Sequence, residues 1–303
     1  MKELKKQLNG FRLKEIQKIL NKTKMENQTS NFKIGIIGVG MVGEALKRYF
    51  EKRGFKLFLF DKGKSLGSVD EVNKADVIFI CVPTPFNKKT GFDLSFVREA
   101  VSCIKGEKII VIKSTVLPGT TEMLQKENPQ HTFLFDPEFL SEATADYDME
   151  NPDRQLVGYT FKKESKEIAN EILKILPRAP FEKIIRATEA EMVKYFNNTF
   201  NAIKVIFANQ FYDLCQKLGI DYDIVKECAA KSKFIITDSH LQIFHKGYRG
   251  YGGKCLPKDI KALIQFADSL GVDLKLHKAA EEINNQLMKD QNIEDPENLS
   301  KRQ

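Results

Sequence analysis

The feature that most constrains this chain is the run "KIGIIGVGMVGEALKRYFEKRG", residues 33–54. It sets Gly38, Gly40 and Gly43 in a G-x-G-x-x-G spacing, between a β-rich apolar segment and a helix with Ala45, Leu46, Tyr49 and Phe50 on its apolar face. A lone motif of this kind is weak. Here a second strand-like run, "FKLFLFD", follows and ends in Asp61, eighteen residues after Gly43. Strand, glycine turn, helix, strand and acid in that order predict a βαβ unit shaped for a dinucleotide. The glycines let a pyrophosphate approach the free N–H groups at the helix start, with Val42 inside the turn. Asp61 stands where an acid would bond an adenosine ribose, and its charge repels a 2′-phosphate. The expected cofactor is therefore NAD rather than NADP, a preference that Lys62 and Lys64 soften without reversing.

The alternation continues. "VIFICV" and "KIIVIKSTV" are unbroken apolar runs, typical of strands in a sheet covered on both faces. "LSFVREAVSCIKG" and "TTEMLQKEN" read as helical connectors, and "HTFLFDPEF" as a further strand. "RQLVGYT" and "FEKIIRAT" complete the sheet, with "KESKEIANEILKIL" crossing between them. Residues 31–188 are thus expected to form a Rossmann-type, doubly wound parallel sheet. Thr84 in "CVPTP" and Thr115 in "STVLPGTT" fall in loops at strand tips, where such a sheet meets its ligand. Taken singly, each threonine is as readily a cap or a turn. The acid-rich stretch "DPEFLSEATADYDMENPDR" follows a strand, and Glu138 and Glu142 would share one face if it were helical.

Next comes "TEAEMVKYFNNTFNAIKVIFANQFYDLCQKLG", about thirty residues with no Gly or Pro before Gly219. Thr188 and Glu191 make an S/T-x-x-E capping box at its start. A helix this long reaches ~45 Å. Its apolar positions cover more than one stripe, which predicts a domain spine or a dimer contact; a homodimer through residues 188–218 is the expectation. Lys194 and Asn198 are i,i+4 neighbours, a spacing that alone describes a solvated surface equally well. Residues 189–290 are expected to form an all-helical central domain and 291–303 a polar, frayed tail.

Within that second half, "GYGGKCLPKD" sets Cys255 between glycines and a helix carrying the stripe Ile260, Leu263, Ile264, Ala267 and Leu270. A helix start carries partial positive charge, and Lys254 and Lys258 add more. Those conditions favour a thiolate. The plainer alternative, a small inert cysteine in a turn, stands beside it.

Charge and cysteine usage exclude several classes. Of the net charge of +7, five units belong to residues 1–30, with eight Lys/Arg against three acids. The rest of the chain is near neutral, and the basic arm reads as short amphipathic helices broken near Gly10. A solvated, loosely docked helix fits it better than a nucleic-acid contact. No apolar run approaches the ~20 residues of a membrane span. The five cysteines include no C-x-x-C pair, and the four histidines are scattered, so neither a disulfide framework nor a metal site is expected. A cytoplasmic, reducing setting follows.

Taken together, "GVGMVG", "CVPTP", "KSTVLPGTT", "PEFLSEATADYDMENPDR", "EAEMVKYFNNTF" and "GYGGKCLPKDIKAL" resemble the UDP-glucose/GDP-mannose 6-dehydrogenase family, in the family's order, over residues 32–288. The last is nearest the bacterial UDP-glucose form. The resemblance implies oxidation of a nucleotide-sugar C6 alcohol, UDP-glucose above all, to a carboxylate with two NAD⁺ in succession. It implies that Cys255 attacks the intermediate aldehyde and that Lys194 faces the developing oxyanion. Asn198 and Asp259 would position water and assist proton movement, with Glu138 as general base and acid. Thr115 and Glu142 would line the meeting point of cofactor and sugar, and Lys258 would reach toward the cofactor. The sugar would also meet Phe139, Leu140, Phe244, Tyr248 and Gly252. Family members usually carry a third, nucleotide-binding domain that the matched segments do not include. A non-catalytic NAD-binding or assembly subunit is therefore the second reading, and an ordinary two-electron dehydrogenase, which needs no cysteine, the third.

Overall fold

The structure is a computed structural model and describes residues 32–231, 242–244, 247–271 and 273–294. The basic arm, residues 237–241 and 245–246 of the loop before Cys255, and the tail beyond 294 lie outside the described residues.

The elements run β1 (Ile34–Ile37), α1 (Met41–Lys52), β2 (Leu57–Asp61), β3 (Leu66–Gly67), α2 (Val69–Val72) and β4 (Val77–Ile80). A small hairpin of β5 (Phe86–Asn87) and β6 (Gly91–Phe92) precedes α3 (Ser95–Ser102). Then come β7 (Ile109–Ile112), α4 (Thr120–Glu127), β8 (Thr132–Phe135), α5 (Ala145–Glu150), β9 (Arg154–Tyr159), α6 (Ser165–Ile175) and β10 (Phe181–Arg186). The second half holds α7 (Ala187–Leu218), α8 (Tyr222–Ala230), α9 (Leu256–Ser269) and α10 (Lys275–Asp290).

The main sheet has eight strands in the order β10-β9-β8-β7-β4-β1-β2-β3. Its central strands β2, β1, β4, β7 and β8 are parallel. Successive residues face opposite layers. Ile36, Phe79, Val111 and Leu134 pack with Leu46 and Phe50 of α1 and Ile172 of α6. Ile78, Ile80, Ile110, Phe133 and Phe135 pack with Val97 of α3 and Leu124 of α4 on the other side. Burial on both faces is why these strands read as unbroken apolar runs.

Two sequence expectations need correcting. The sheet is not wholly parallel: β9 pairs antiparallel to β8, with Leu134 opposite Tyr159. The connection from β8 to β9 stays at the carboxyl ends of the parallel strands, so the chain re-enters the sheet from the rim it left. β9 and β10 are then parallel to each other, joined by the α6 crossover. Second, the capping box of the long helix lies two residues earlier than expected. Helix α7 begins at Ala187, and the Glu189 carboxylate accepts the Arg186 N–H at 3.0 Å. Glu191 turns inward instead. The helix ends at Gly219, whose φ of 65° suits the left-handed cap.

No linker separates the sheet from the helices. Arg186 ends β10 and Ala187 starts α7, which lies against β9 at Gly158. A Cβ on that glycine would stand 2.7 Å from the Ala187 Cα and 3.1 Å from the Ala190 Cβ. Helices α9 and α10 pack on the far part of α7 through Ala202, Ile206, Ile260 and Ala280.

Candidate active site

The chain leaves β1 toward β2 on one side and returns through β4 on the other, which makes the carboxyl ends of β1 and β4 the switch point where a doubly wound sheet takes its ligand. Each glycine of the turn has a distinct physical reason. Gly38 has φ 88°, and a Cβ there would stand 2.8 Å from the backbone of Cys81 and Val82. A Cβ on Gly43 would strike the Gly38 carbonyl oxygen at 2.0 Å, so α1 can seat on the turn only without one. Around a Cβ on Gly40 there is nothing within 4 Å: the backbone is open to an approaching group. A groove of 540 Å³ begins there, lined by Gly40, Met41, Lys64 and Glu142 among others. Asp61 closes β2 with its carboxylate on the Val39 N–H at 2.6 Å and the Lys64 N–H at 2.9 Å. Lys62 is paired with Glu99, and the Lys64 ammonium donates to the Val39 carbonyl. These residues fit a dinucleotide: an open glycine edge, a helix start behind it and an acid at the ribose end.

The candidate catalytic side chains lie next to this rim. Lys194 and Asn198 sit on the inward face of α7, both buried. Lys194 Nζ meets Glu138 Oε1 at 2.7 Å, and the other Glu138 oxygen accepts the Leu140 N–H at 2.9 Å. Burial pushes the Glu138 carboxyl up, but the Lys194 ammonium, the Leu140 N–H and the charge of Lys113 together outweigh it and hold the group below its ordinary range. Burial likewise pulls Lys194 down, and Glu138 and Asp259 more than reverse it. One turn further along α7, Asn198 donates to Asp259 Oδ2. Asp259 Oδ1 is 2.9 Å from the Lys258 ammonium, off the direction of a hydrogen bond, so this oxygen is charge-balanced but not bonded. Lys258 also reaches Thr84 Oγ1 at 3.4 Å, and that hydroxyl donates to the Thr115 carbonyl at 2.7 Å.

Cys255 caps α9, and Pro257 is the second residue of that helix. The thiol is exposed yet ringed by protein. Burial first, then Asp259, push its pKa above the ordinary value, against the lowering by Lys258 and Lys194. This corrects the expectation of a standing thiolate. The two nearby lysines are already neutralised, Lys194 by Glu138 and Lys258 by Asp259, and little net positive charge is left for the sulfur. Cys255 also lies within the electrostatic reach of Glu138.

The structure therefore brings Cys255, Lys194, Asn198, Asp259, Glu138, Lys258, Thr84 and Thr115 into one neighbourhood. Phe139 joins them, its ring between the Arg154 guanidinium at 3.8 Å and the Lys194 ammonium at 5.9 Å. Leu140 contributes its N–H to Glu138 and its side chain to the core. Glu142 does not share a helical face with Glu138, because residues 136–144 are not helical; it lines the groove beside Gly40. Tyr248 is buried against Met288 and Ile293, bonds to the Gly252 backbone and feels the Glu142 charge. Phe244 is placed elsewhere, exposed and edge-on to Tyr212 at 6.2 Å.

Sequence reasoning missed a second charged layer under the site. Lys113 directly follows β7 and pairs with Asp136 at 2.7 Å; Gln155 on β9 donates to the other Asp136 oxygen at 2.8 Å. Burial pushes the Asp136 carboxyl up, opposed by Lys113. Glu191, fully buried, accepts the Gly119 N–H at 2.6 Å, the Thr121 N–H at 2.8 Å and the Thr121 hydroxyl at 2.6 Å. A lysine closing an otherwise apolar strand was the readable signal for the first. Glu191 gave none, since its spacing imitates a cap.

Comparison with known proteins gives two matches within one family. Residues 64–176 match the description "UDP-glucose/GDP-mannose dehydrogenase family, NAD binding domain", and residues 188–286 match the central domain of that family. The UDP-glucose 6-dehydrogenase TuaD of Bacillus subtilis is 35% identical over 228 residues, 70% of this chain and 47% of that protein. The UDP-glucose 6-dehydrogenase of Rickettsia conorii is 34% identical over 226 residues, 72% of this chain and 50% of that one. The chain spans about half the length of the curated relatives it matches. A solved UDP-glucose dehydrogenase from the archaeon Pyrobaculum islandicum superposes with a TM-score of 0.75 at 28% identity, covering 87% of this chain and 72% of the other.

Proposed function

This chain belongs to the UDP-glucose/GDP-mannose dehydrogenase family, and from that premise we propose that it oxidises the C6 alcohol of a nucleotide sugar, UDP-glucose first, to the carboxylate through a covalent adduct on Cys255. The observation that carries the reading is the joint placement of Lys194 on Glu138 and of Asn198 on Asp259, beside an accessible Cys255. A two-electron dehydrogenase has no use for that thiol.

Two NAD⁺ bound in succession at the glycine turn would supply the hydride acceptors, one for the alcohol and one for the adduct on Cys255. The chain's own groups do the rest. Glu138 takes the proton of the C6 hydroxyl. While Lys194 is paired with it the carboxylate is a weak base; when the ammonium turns to the forming oxyanion, burial is opposed only by the Leu140 N–H and the charge of Lys113, and the base strengthens. Lys194 is thus shared between base and oxyanion, and the site switches state without importing charge. Cys255 adds to the aldehyde once its proton has moved, and the unbonded Asp259 Oδ1 is the acceptor at hand. Asn198 and Asp259 then hold the water that cleaves the thioester.

Helix α7 also carries an exposed apolar row of Met192, Phe196, Phe200 and Phe207, with the Phe196 and Phe200 rings stacked at 6.2 Å. A row of this kind along a spine helix supports a homodimer through α7.

The test is a count of NADH per sugar consumed, with purified protein, NAD⁺ and a panel of nucleotide sugars. Two NADH per sugar is the expected result. One NADH removes the covalent second step, and none on any sugar removes the catalytic reading.

A further inference from the structure

The chemistry above leaves Glu191 unused, yet three donors converge on it. Its carboxylate is wholly buried and comes from a residue 70 positions away from the Thr121 it binds. Helix α4 lacks a cap of its own, because its N-cap is Gly119 at φ 94°, which has no side chain to offer. A capping carboxylate could have stood at that position on the surface. It stands instead on α7, three residues before Lys194 and seven before Asn198.

The segment held in this way is the loop between β7 and α4, which carries Thr115. On its other side the Thr115 carbonyl accepts from Thr84, whose hydroxyl meets Lys258 of α9. We propose that Glu191 is a positioning residue that fastens the Thr115 loop to α7, keeping the cofactor side of the site in register with Lys194 and Asn198. The inference rests on the reading that this loop faces the dinucleotide.

Protonation must loosen the fastening. A carboxylate accepts from all three donors with the strength of a full charge, whereas a protonated carboxyl must reverse the Thr121 hydroxyl bond and holds the Gly119 and Thr121 N–H groups only as a neutral acceptor. Burial, opposed by the Thr121 and Gly119 bonds, pushes the Glu191 carboxyl up to about 7. The ionisable neighbours are Glu122 on α4, whose charge raises it further, and Tyr195, one turn along α7. The grip is complete above that pH and slackens below it.

The experiment measures NAD⁺ dissociation constants by calorimetry between pH 6 and 8.5, as assay conditions of roughly physiological range, for the wild type, Glu191→Gln and Thr121→Val. Melting temperature is followed in parallel. The wild type should bind NAD⁺ more tightly at the alkaline end, with a step near neutrality. Glu191→Gln should bind roughly tenfold more weakly at the alkaline end and show no step, since its NH2 would face either the Gly119 or the Thr121 N–H, donor against donor, and an amide does not titrate. Thr121→Val should weaken binding less and keep the step. A folded Glu191→Gln protein with wild-type affinity and wild-type pH dependence overturns the proposal. If that variant does not fold, unchanged affinity in Thr121→Val overturns it. A wild type that binds no NAD⁺ overturns the functional reading itself, a result distinct from either.

Discussion

Lys194 and Glu138 meet at 2.7 Å with side chains only 6% and 10% exposed, one from the spine helix and one from the loop after β8. The pair ties the helical half to the sheet, and each partner sets the charge state of the other. Removing one strands the other. Lys194→Met should destabilise the fold by about 3–5 kcal/mol, the usual penalty for an unpaired buried charge. Lys194→Met with Glu138→Leu should recover much of that loss while leaving no activity. Denaturant midpoints of the single and double variants check it, and additive losses would refute the coupling.

The sulfur should titrate late. Iodoacetamide labelling of Cys255 in the cofactor-free protein is expected to keep rising beyond the ordinary thiol range, because burial and Asp259 disfavour the thiolate. Asp259→Asn removes the repulsion and frees Lys258, so the labelling curve should move to lower pH. Mass mapping of the labelled cysteine separates it from Cys228, which is also exposed. A curve that stays in place would show that Asp259 does not act on the thiol.

Cys255→Ser should perform the first oxidation and stall at the second. Single-turnover NADH formation should approach one equivalent per site, against two for the wild type. Full unchanged turnover would remove the covalent step.

Gly38 and Gly40 should fail differently when given a methyl group. Gly38→Ala meets the Cys81 backbone and is strained at φ 88°, so it should lose stability by more than about 1 kcal/mol. Gly40→Ala meets nothing, and its melting temperature should stay near that of the wild type. Its NAD⁺ affinity should still drop, because the open edge is where the pyrophosphate comes closest. Equal melting losses in the two variants would contradict this division.

The stacked Phe196 and Phe200 should matter only in an assembly. Phe196 is 70% exposed in the single chain, so Phe196→Glu should be neutral for a monomer's stability. Under the homodimer reading it should halve the mass seen by sedimentation equilibrium. An unchanged mass would place any contact elsewhere.

The strands and helices of the first half were legible because each strand is buried on both faces and reads as one apolar run. The β9 reversal was not, since nothing in "DPEFLSEATADYDMENPDR" records on which rim of the sheet a connection stays. At the site, the glycines and Cys255 announce themselves through local backbone demands. Lys194, Asn198 and Glu138 do not: spacing describes their surface equally well, and only the long-range pairing separates active side chains from solvated ones. The Cys255 charge state was misjudged for the same reason. Lys258 adjoins the motif in sequence, but its charge is taken up by Asp259.

The close seating of Gly158 on Ala187, with strand passing into spine at Arg186, bears on how the molecule can move. A hinge at that junction would tear apart backbone packed at near-contact distance and the three bonds to Glu191. The two halves therefore cannot open like a clamshell about the first turn of α7. Under the proposed reaction, sugar would come in along the rim beside Cys255, and product would depart by that same doorway.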